Sequence, residues 1–211
     1  MKKLAIYGAG GLGREVALMI NQINQVGHQW NLIGFFDDGR QKNDCIDGLV
    51  VLGGINEVNA LQSSCAIVIA IGDAASRKSI VERIKNNLIN YPIIIHPKAL
   101  VGSVDNQWGE GSIITAGCIF TTGIVIGKFT IVNLACTLGH DVRLGDFCSV
   151  MPGCNLSGNV VIGEATLIGT GTQILQNITI GSHCTIGAGA VVINNIESGL
   201  IVVGIPANRL L

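Results

Sequence analysis

Bulky apolar residues recur at every sixth position through the second half of the chain. Fourteen consecutive positions conform, namely Ile114, Phe120, Ile126, Val132, Leu138, Leu144, Val150, Leu156, Ile162, Ile168, Ile174, Ile180, Ile186 and Val192. The residue four places after each is small or β-branched, giving Cys118, Ile124, Thr130, Cys136, Val142, Cys148, Cys154, Val160, Thr166, Thr172, Ile178, Cys184, Ala190 and Ile196.

An unbroken period of six is typical of neither an α-helix, which repeats about every 3.6 residues, nor a flat strand, which repeats every two. Short strands joined by tight turns require it, because each six-residue face points a fixed pair of positions inward. The second half is therefore predicted to be a β-solenoid with three faces to a coil. Five of the seven cysteines occupy the small inward position, so we interpret them as packing residues and predict no metal site.

The first part of the chain has a different pattern, in which short apolar runs alternate with segments of helical spacing. This succession predicts a small parallel βαβ-type sheet. The change of period near His96-Pro97 divides the chain into residues 1–95 and residues 96–211. The predicted strands are 3–7, 32–36, 50–52, 66–71 and 93–95, and the predicted helices are 14–24 and 76–88.

Charge and composition narrow the range of partners. The chain carries 13 basic and 14 acidic residues, so it lacks the positive field on which nucleic-acid binding depends. No apolar run approaches the roughly 20 residues of a membrane span, and the N-terminus has no signal-peptide pattern. We expect a cytoplasmic protein with no membrane partner.

Gly8, Gly10 and Gly13 form a GxGxxG motif between the first predicted strand and the first predicted helix. Such a loop lets backbone N–H groups and a helix N-terminus approach a phosphate closely. Asp37 ends the next strand, near the place where an acidic residue meets a ribose hydroxyl. The half-domain has the size for a mononucleotide, which favours a nucleotide-linked sugar over NAD. A purely structural tight turn remains the alternative, because a lone motif of this kind is a weak signal.

Of the four histidines, only His140 has an acidic residue, Asp141, directly after it in a repeat turn. His28 and His183 are expected at the surface, and His96 is expected to make a local hydrogen bond beside Pro97. A neighbouring carboxylate can orient a histidine as a general base. A solvent-exposed corner histidine is the alternative interpretation.

Coils of eighteen residues place Gly158 over His140 and Asn159 over Asp141. A glycine there leaves open space and a bare backbone N–H beside the imidazole. A thioester carbonyl could then meet both a base and a donor, as acyl transfer requires. Asn133 could hold a polar group of a substrate, although asparagine ladders in such coils can also be purely structural.

Four segments resemble the left-handed β-helix acyltransferases of the sialic acid O-acetyltransferase and UDP-4-amino-sugar N-acetyltransferase (NeuD/PglD) type. They are the opening IYGAGGLGREVA, the acidic pair in GFFDD, NLACTLGHD at 133–141 and VVGIPANRL at 202–210. The resemblance spans essentially the whole chain. It implies an α/β Rossmann-like half-domain that binds a nucleotide-sugar, a left-handed parallel β-helix, acetyl-CoA as co-substrate and a homotrimeric assembly.

The resemblance also assigns residues to roles. His140 would be the base, Asp141 would assist it, and Gly158 would meet the acetyl carbonyl through its backbone N–H. Ser149 stands where some amino-sugar enzymes have a second histidine near the acetyl group. The remaining implied contacts are Ala188, Gly204 and Pro206 with coenzyme A, and Gly10, Gly11, Leu12, Asp37, Asp38 and Gly72 with the nucleotide-sugar.

These features predict transfer of an acetyl group from acetyl-CoA to an amine or hydroxyl of a nucleotide-linked or sialic-type sugar. Two other hypotheses stay open. One is acetylation of a small free acceptor, such as serine or a simple sugar, with a purely structural N-terminal domain. The other is a hexapeptide scaffold without catalytic activity.

Overall fold

A computed structural model describes residues 1–102 and 104–210. The chain forms two compact units, Met1–Pro92 and Ile93–Leu211. In the described part of the chain, no helix combines the length and the apolar character that crossing a membrane requires.

The first unit is a six-stranded sheet with helices between its strands. Its elements are β1 Lys2–Tyr7, α1 Gly11–Gly27, β2 Trp30–Phe36, β3 Cys45–Ile46, β4 Leu49–Gly53, α2 Ile55–Asn59, β5 Cys65–Ile69, α3 Ala74–Arg83 and β6 Ile89–Asn90. The strand order is β3-β4-β2-β1-β5-β6, and every pairing is parallel except that between β3 and β4. The order places β1 between β2 and β5, so the loops that follow these three strands lie along one sheet edge.

Two helices of this unit have different ends from those predicted. Helix α1 is longer at both ends, because it begins directly in the glycine loop and stops at His28, which has the left-handed φ of 39°. Helix α3 is shorter than the predicted 76–88 and ends at Arg83. Beyond it, the Asn86 side chain donates to the backbone carbonyl of Leu61 at 2.9 Å, which ties the chain down in a loop instead.

The second unit is a parallel β-helix of very short strands. They are β7 Ile94–Ile95, β8 Gln107–Trp108, β9 Ile113–Ile114, β10 Ile119–Phe120, β11 Val125–Ile126, β12 Ile131–Val132, β13 Thr137–Leu138, β14 Arg143–Leu144, β15 Ser149–Val150, β16 Asn155–Leu156, β17 Val161–Ile162, β18 Leu167–Ile168, β19 Gln173–Ile174, β20 Thr179–Ile180, β21 Thr185–Ile186, β22 Val191–Val192, β23 Ile201–Val203 and β24 Asn208–Arg209. They stack into three faces of five, five and eight strands. From β8 to β19 each strand pairs with the one three places on, which gives the predicted coil of eighteen residues.

The core of the β-helix consists of the residues that the six-residue period selects. All fourteen bulky positions from Ile114 to Val192 are buried, and in the second series only Ile196 is partly exposed. The five cysteines of the repeat are buried free thiols, as predicted. The structure confirms the predicted class, an α/β Rossmann-like half-domain followed by a left-handed parallel β-helix.

One predicted strand belongs to the other unit. Residues 93–95 were expected to close the α/β sheet, but β7 pairs in parallel with β9 and is the first strand of the β-helix. The spacing between Ile94 and its partner Ile113 is nineteen residues rather than eighteen. This extra residue puts β7 out of phase with the repeat, which explains why the six-residue period does not include it.

At the other end of the same face, the chain reverses direction. Strand β24 runs antiparallel to β23, with Val202 opposite Arg209 and Val203 opposite Asn208. Between the two strands, the N–H of Ala207 donates to the carbonyl of Val191 at 2.8 Å. The segment 201–209 is therefore a hairpin that is hydrogen-bonded to the last coil.

Candidate active site

His140 and Asp141 lie at the corner of the β-helix that follows β13. The Nδ1 atom of His140 lies 2.9 Å from the Oδ2 atom of Asp141, and both side chains are more than half exposed. Asp141 adopts the left-handed φ of 61°, and its N–H donates to the carbonyl of Thr122 one coil earlier at 2.9 Å. The backbone of the pair is thus fixed by the coil, while both side chains remain open to a substrate.

The contact with Asp141 selects the tautomer of the imidazole. A carboxylate can only accept hydrogen bonds, so the proton of a neutral His140 lies on Nδ1. The other ring nitrogen, Nε2, then carries a lone pair that can receive a proton. This is the arrangement that a general base needs.

Gly158 lies beside His140 in the next coil, as the eighteen-residue spacing predicts. A β-carbon added at Gly158 would lie 2.6 Å from Cε1 and 2.8 Å from Cδ2 of the imidazole, with Nε2 closer still. Real β-carbons do not approach other atoms so closely, so the ring occupies the space that any side chain at position 158 would need. The N–H of Asn159, the next residue, donates to the carbonyl of His140 at 2.8 Å.

The other predicted residues of the β-helix lie away from this corner. Asn133 is buried after β12, and its Oδ1 accepts the N–H of Leu134 at 2.8 Å. Ser149 is buried at the start of β15 on the face that contains β12. Ala188 follows β21 on this face, and Gly204 and Pro206 follow β23. These five residues share one face and its adjoining corner, and the strand β13 separates that corner from the one that holds His140.

In the α/β unit, the structure brings six predicted residues to one cleft. The cleft has a volume of about 390 Å³ and lies where β1, β2 and β5 end. Its lining includes the predicted substrate-binding residues of this unit, namely Gly10, Gly11, Leu12, Asp37, Asp38 and Gly72. Ligands of open α/β sheets bind outside the carboxyl ends of the strands, which is the position of this cleft.

The glycines of the loop divide into two kinds. A β-carbon at Gly13 would collide with the carbonyl of Gly8, and one at Gly8 would lie 2.7 Å from the carbonyl oxygen of Ala70. These two glycines are required by the packing of the chain itself. Gly10 and Gly11 have no atom within 4 Å of a β-carbon position, so nothing in the chain's own packing requires a glycine there.

The two aspartates at the end of β2 hold the loops around the cleft. Asp37 accepts the N–H of Ala9 at 2.7 Å through Oδ2 and the N–H of Gly39 at 2.8 Å through Oδ1. Asp38 accepts the N–H of Ile55 at 2.8 Å and pairs with Arg83 at 3.0 Å. Partial desolvation opposes ionisation, but the Ile55 N–H, the Tyr7 hydroxyl and the Arg83 guanidinium together hold the pKa of Asp38 below its ordinary value.

Tyr7 lines this cleft and Arg77 holds a loop at its edge, and no sequence pattern singles out either residue. Tyr7 lines the cleft, and burial, followed by the nearby Asp38 carboxylate, raises the pKa of its phenol above the ordinary value. Arg77 is 1% exposed and donates from Nη1 to the carbonyl of Gly72 at 2.9 Å and to that of Ile71. A buried arginine therefore shapes the loop after β5, and the sequence does not distinguish it from the other basic residues of the helix, Lys78 and Arg83.

The remaining histidines have the surroundings that the sequence predicts. His96 is buried, its Nδ1 accepts the N–H of Lys98 at 2.9 Å, and burial lowers its pKa. His28 and His183 are exposed. His140 is paired with the carboxylate of Asp141.

Comparisons with known proteins cover both units. Residues 3–84 match the family described as the PglD N-terminal domain, and residues 159–194 match the bacterial transferase hexapeptide (six repeats). The acetyltransferase domain of PglB from Neisseria gonorrhoeae, solved in complex with acetyl coenzyme A, is 36% identical with a TM-score of 0.90 and covers 99% of each chain. Sequence comparison with curated proteins gave no significant match.

Two further solved structures show the same full-length likeness. A histidine-to-asparagine mutant of perosamine N-acetyltransferase from Caulobacter crescentus, in complex with CoA and GDP-perosamine, is 25% identical with a TM-score of 0.89, covering 100% of this chain and 97% of that one. WeeI from Acinetobacter baumannii is 28% identical with a TM-score of 0.89 and covers 100% of both chains. The likeness therefore includes the α/β unit as well as the repeats.

Proposed function

The chain belongs to the NeuD/PglD type of hexapeptide-repeat acyltransferases, and on this premise we propose that it transfers an acetyl group from acetyl-CoA to the amine of a nucleotide-linked amino sugar. The structure of a relative with acetyl coenzyme A supports the donor. The relative from Caulobacter crescentus, an N-acetyltransferase in complex with CoA and GDP-perosamine, supports an amino sugar as the acceptor.

One observation carries the proposal: the imidazole of His140 occupies the side-chain space of Gly158 while its Nδ1 contacts Asp141. A base and a bare backbone N–H therefore lie side by side at an exposed corner. Acyl transfer needs these two groups together, a base for the nucleophile and a donor for the developing oxyanion.

The proposed step is a direct attack. The amine nitrogen forms a bond to the acetyl carbonyl carbon while Nε2 of His140 accepts a proton from that nitrogen. The backbone N–H of Gly158 donates to the carbonyl oxygen as negative charge develops there. The bond between the carbonyl carbon and sulfur then breaks, and the proton held by His140 passes to the departing thiolate of coenzyme A. No covalent acyl-enzyme forms.

We propose that the chain acts as a homotrimer, because the site residues occupy two different corners of one chain. His140 and Gly158 lie at one corner, whereas Ser149 lies on the face that contains β12, and Ala188 and Gly204 lie at the corner after that face, which β13 separates from His140. A rotation axis parallel to the β-helix brings the first corner of one copy against the second corner of its neighbour. Coenzyme A would then bind between two copies, close to His140 of one of them.

The α/β unit is proposed to bind the nucleotide of the acceptor. The N-terminus of the seventeen-residue helix α1 opens into the cleft, and unpaired N–H groups at a helix N-terminus attract phosphate. Gly10 and Gly11 have no side chains that would cover the N–H groups at this helix end. Asp37 and Asp38 lie at the other side of the cleft, where a carboxylate can accept from ribose hydroxyls or a base.

Replacement of Gly10 tests the proposed contact between the glycine loop and the phosphates. Gly10→Ala is expected to raise the Kd of a UDP-linked amino sugar at least about tenfold, roughly 1.4 kcal/mol, because the new methyl group stands in the path of the phosphates. Its φ of −80° suits alanine, so the protein should keep its thermal stability. Calorimetric titration measures the affinity.

A control at the other end of the same helix separates this effect from a change in helix stability. Gly27→Ala meets only the Gln29 side chain, at 3.7 Å, and is expected to bind the UDP-sugar like the parent protein. Equal affinity of the Gly10→Ala and Gly27→Ala proteins would contradict the phosphate contact.

A substrate screen tests the proposed function as a whole. UDP-linked 4-amino sugars, GDP-perosamine, free sialic acid and serine are incubated with acetyl-CoA, thiol release is followed, and the product is identified by mass spectrometry. We expect acetylation of a nucleotide-linked amine. Turnover of sialic acid would establish O-transfer instead, and turnover of serine alone would make the α/β unit structural. Absence of coenzyme A binding would overturn the proposal in favour of a non-catalytic scaffold.

A further inference from the structure

The side chains of His140 and Asp141 extend toward different neighbouring coils. The imidazole fills the space above Gly158, in the following coil, whereas the carboxylate of Asp141 fills the space at Gly123, in the preceding coil. A β-carbon at Gly123 would lie 2.6 Å from Oδ1 and 3.5 Å from Cγ of Asp141. The pair is thus held in a slot with a glycine on each side.

The two oxygens of Asp141 have separate contacts. Oδ2 meets Nδ1 of His140 at 2.9 Å, and Oδ1 is the atom that lies against the open position at Gly123. The backbone of Asp141 is fixed by its bond to Thr122. If Oδ1 were pushed away, the carboxylate could move only by rotating its short side chain, and this rotation would carry Oδ2 away from the imidazole.

Position 123 belongs to a turn column in which larger residues are otherwise accepted. Gly123, Asp141, Asn159 and Asn177 follow one another at intervals of one coil, and all have φ between 59° and 68°. Asn159 donates to Asn177 at 3.2 Å, so asparagine fits the backbone of this column. The turn geometry alone therefore does not require glycine at position 123, whereas the carboxylate of Asp141 does.

We propose that Gly123 is a positioning residue of the active site, whose missing side chain gives the Asp141 carboxylate the room to orient His140. This inference rests on the proposed function, because it acts through the same histidine. A residue that acts only through the orientation of His140 does not alter the binding of the donor or the acceptor. The effect of Gly123 should therefore fall on kcat and leave the KM values for acetyl-CoA and acceptor unchanged.

Gly123→Ala is expected to lower kcat by roughly tenfold to 10²-fold, since misplacement of a catalytic group by about 1 Å can cost that much. Turnover is measured as thiol release from acetyl-CoA, with a UDP-linked 4-amino sugar or GDP-perosamine as acceptor. Gly199→Ala is the matched control. Gly199 has a similar φ of 77° and no atom within 4 Å of a β-carbon position, so this variant introduces the same backbone strain with no carboxylate to displace.

Gly123→Asn is a second variant that tests the proposal even if Gly123→Ala fails to fold. Asparagine tolerates a left-handed φ and already occupies this turn column, yet it adds the same β-carbon. It should fold with a thermal stability close to that of the parent and show the same loss of kcat. Parent-like kcat in a folded Gly123→Asn protein would overturn the proposal.

A double-mutant cycle tests whether Gly123 acts through Asp141. Once Asp141 is replaced by alanine, Gly123→Ala should lower kcat no further than Gly199→Ala does. An undiminished loss in that background would show that Gly123 acts elsewhere and would overturn the proposal. If the parent protein transfers no acetyl group to either acceptor, the proposed function fails. If the parent is active and His140→Ala is equally active, His140 is not the base and the inference about Gly123 fails with it. If His140→Ala is inactive and Gly123→Ala matches its control, only the inference about Gly123 fails.

Discussion

Replacement of His140 by alanine is expected to lower kcat by about 10²–10⁴-fold, the contribution typical of a positioned general base. The attacking amine would lose the Nε2 lone pair that accepts its proton, while acetyl-CoA and the acceptor would still bind. Thiol release under saturating acetyl-CoA measures the effect. The fold should persist, because the His140 side chain is 60% exposed and lies outside the buried core.

His183→Ala is the matched control for this variant. His183, with a φ of 57°, is also an exposed turn histidine, but it has no carboxylate pair among the described residues. Its replacement should leave kcat within about twofold of the parent value. Near-parental turnover by His140→Ala would remove the histidine from the mechanism, whatever the acceptor proves to be.

The second large effect is expected at Gly158. Gly158→Ala places a methyl group inside the imidazole of His140, so the ring must rotate away from the coil that holds it. We expect kcat to fall on the order of 10²-fold, since both the base and the path to the backbone N–H are displaced. Gly158 does not have a positive φ, so alanine introduces no backbone strain and the thermal midpoint should change little.

Ser157→Ala provides the comparison at the neighbouring position. Ser157 is exposed, and its replacement alters the same turn without adding a group against His140. The Ser157→Ala protein should retain parental kcat. If Gly158→Ala and Ser157→Ala have the same kcat, the imidazole can move away from position 158 without loss of activity. The contact between His140 and Gly158 would then not contribute to catalysis.

The sequence predicts the β-helix well because its core contacts repeat. Each inward residue from Ile114 to Val192 meets its equivalents one coil away, so spacing alone determines which strands pair. The same arithmetic predicts that Gly158 lies beside His140. It does not predict that Asp141 leans toward Gly123, because side-chain direction depends on a left-handed backbone that a non-glycine residue rarely adopts and that the residue type does not reveal.

The α/β unit is less predictable because its elements are short and irregular. Helix α2 and strand β3 contain only five and two residues, too few for a period to be detected. The buried Arg77 depends on the path of the loop at Ile71 and Gly72, which is set by tertiary packing. The glycine loop itself was recognisable, but the difference between Gly13, which the fold needs, and Gly10, which it does not, emerges only from interatomic distances.

The hairpin formed by β23 and β24 has a consequence for solubility. The last strand of a parallel stack has unpaired N–H and C=O groups, and another strand can pair with them. In a solenoid, the first coil of a second molecule has the spacing to pair with such an edge. At Val202 and Val203 the edge is already paired with a strand of opposite direction. The strand that a second β-helix would meet at this end runs in the opposite direction to the coils and carries the charged Arg209. This arrangement disfavours end-to-end association of β-helices into fibrils.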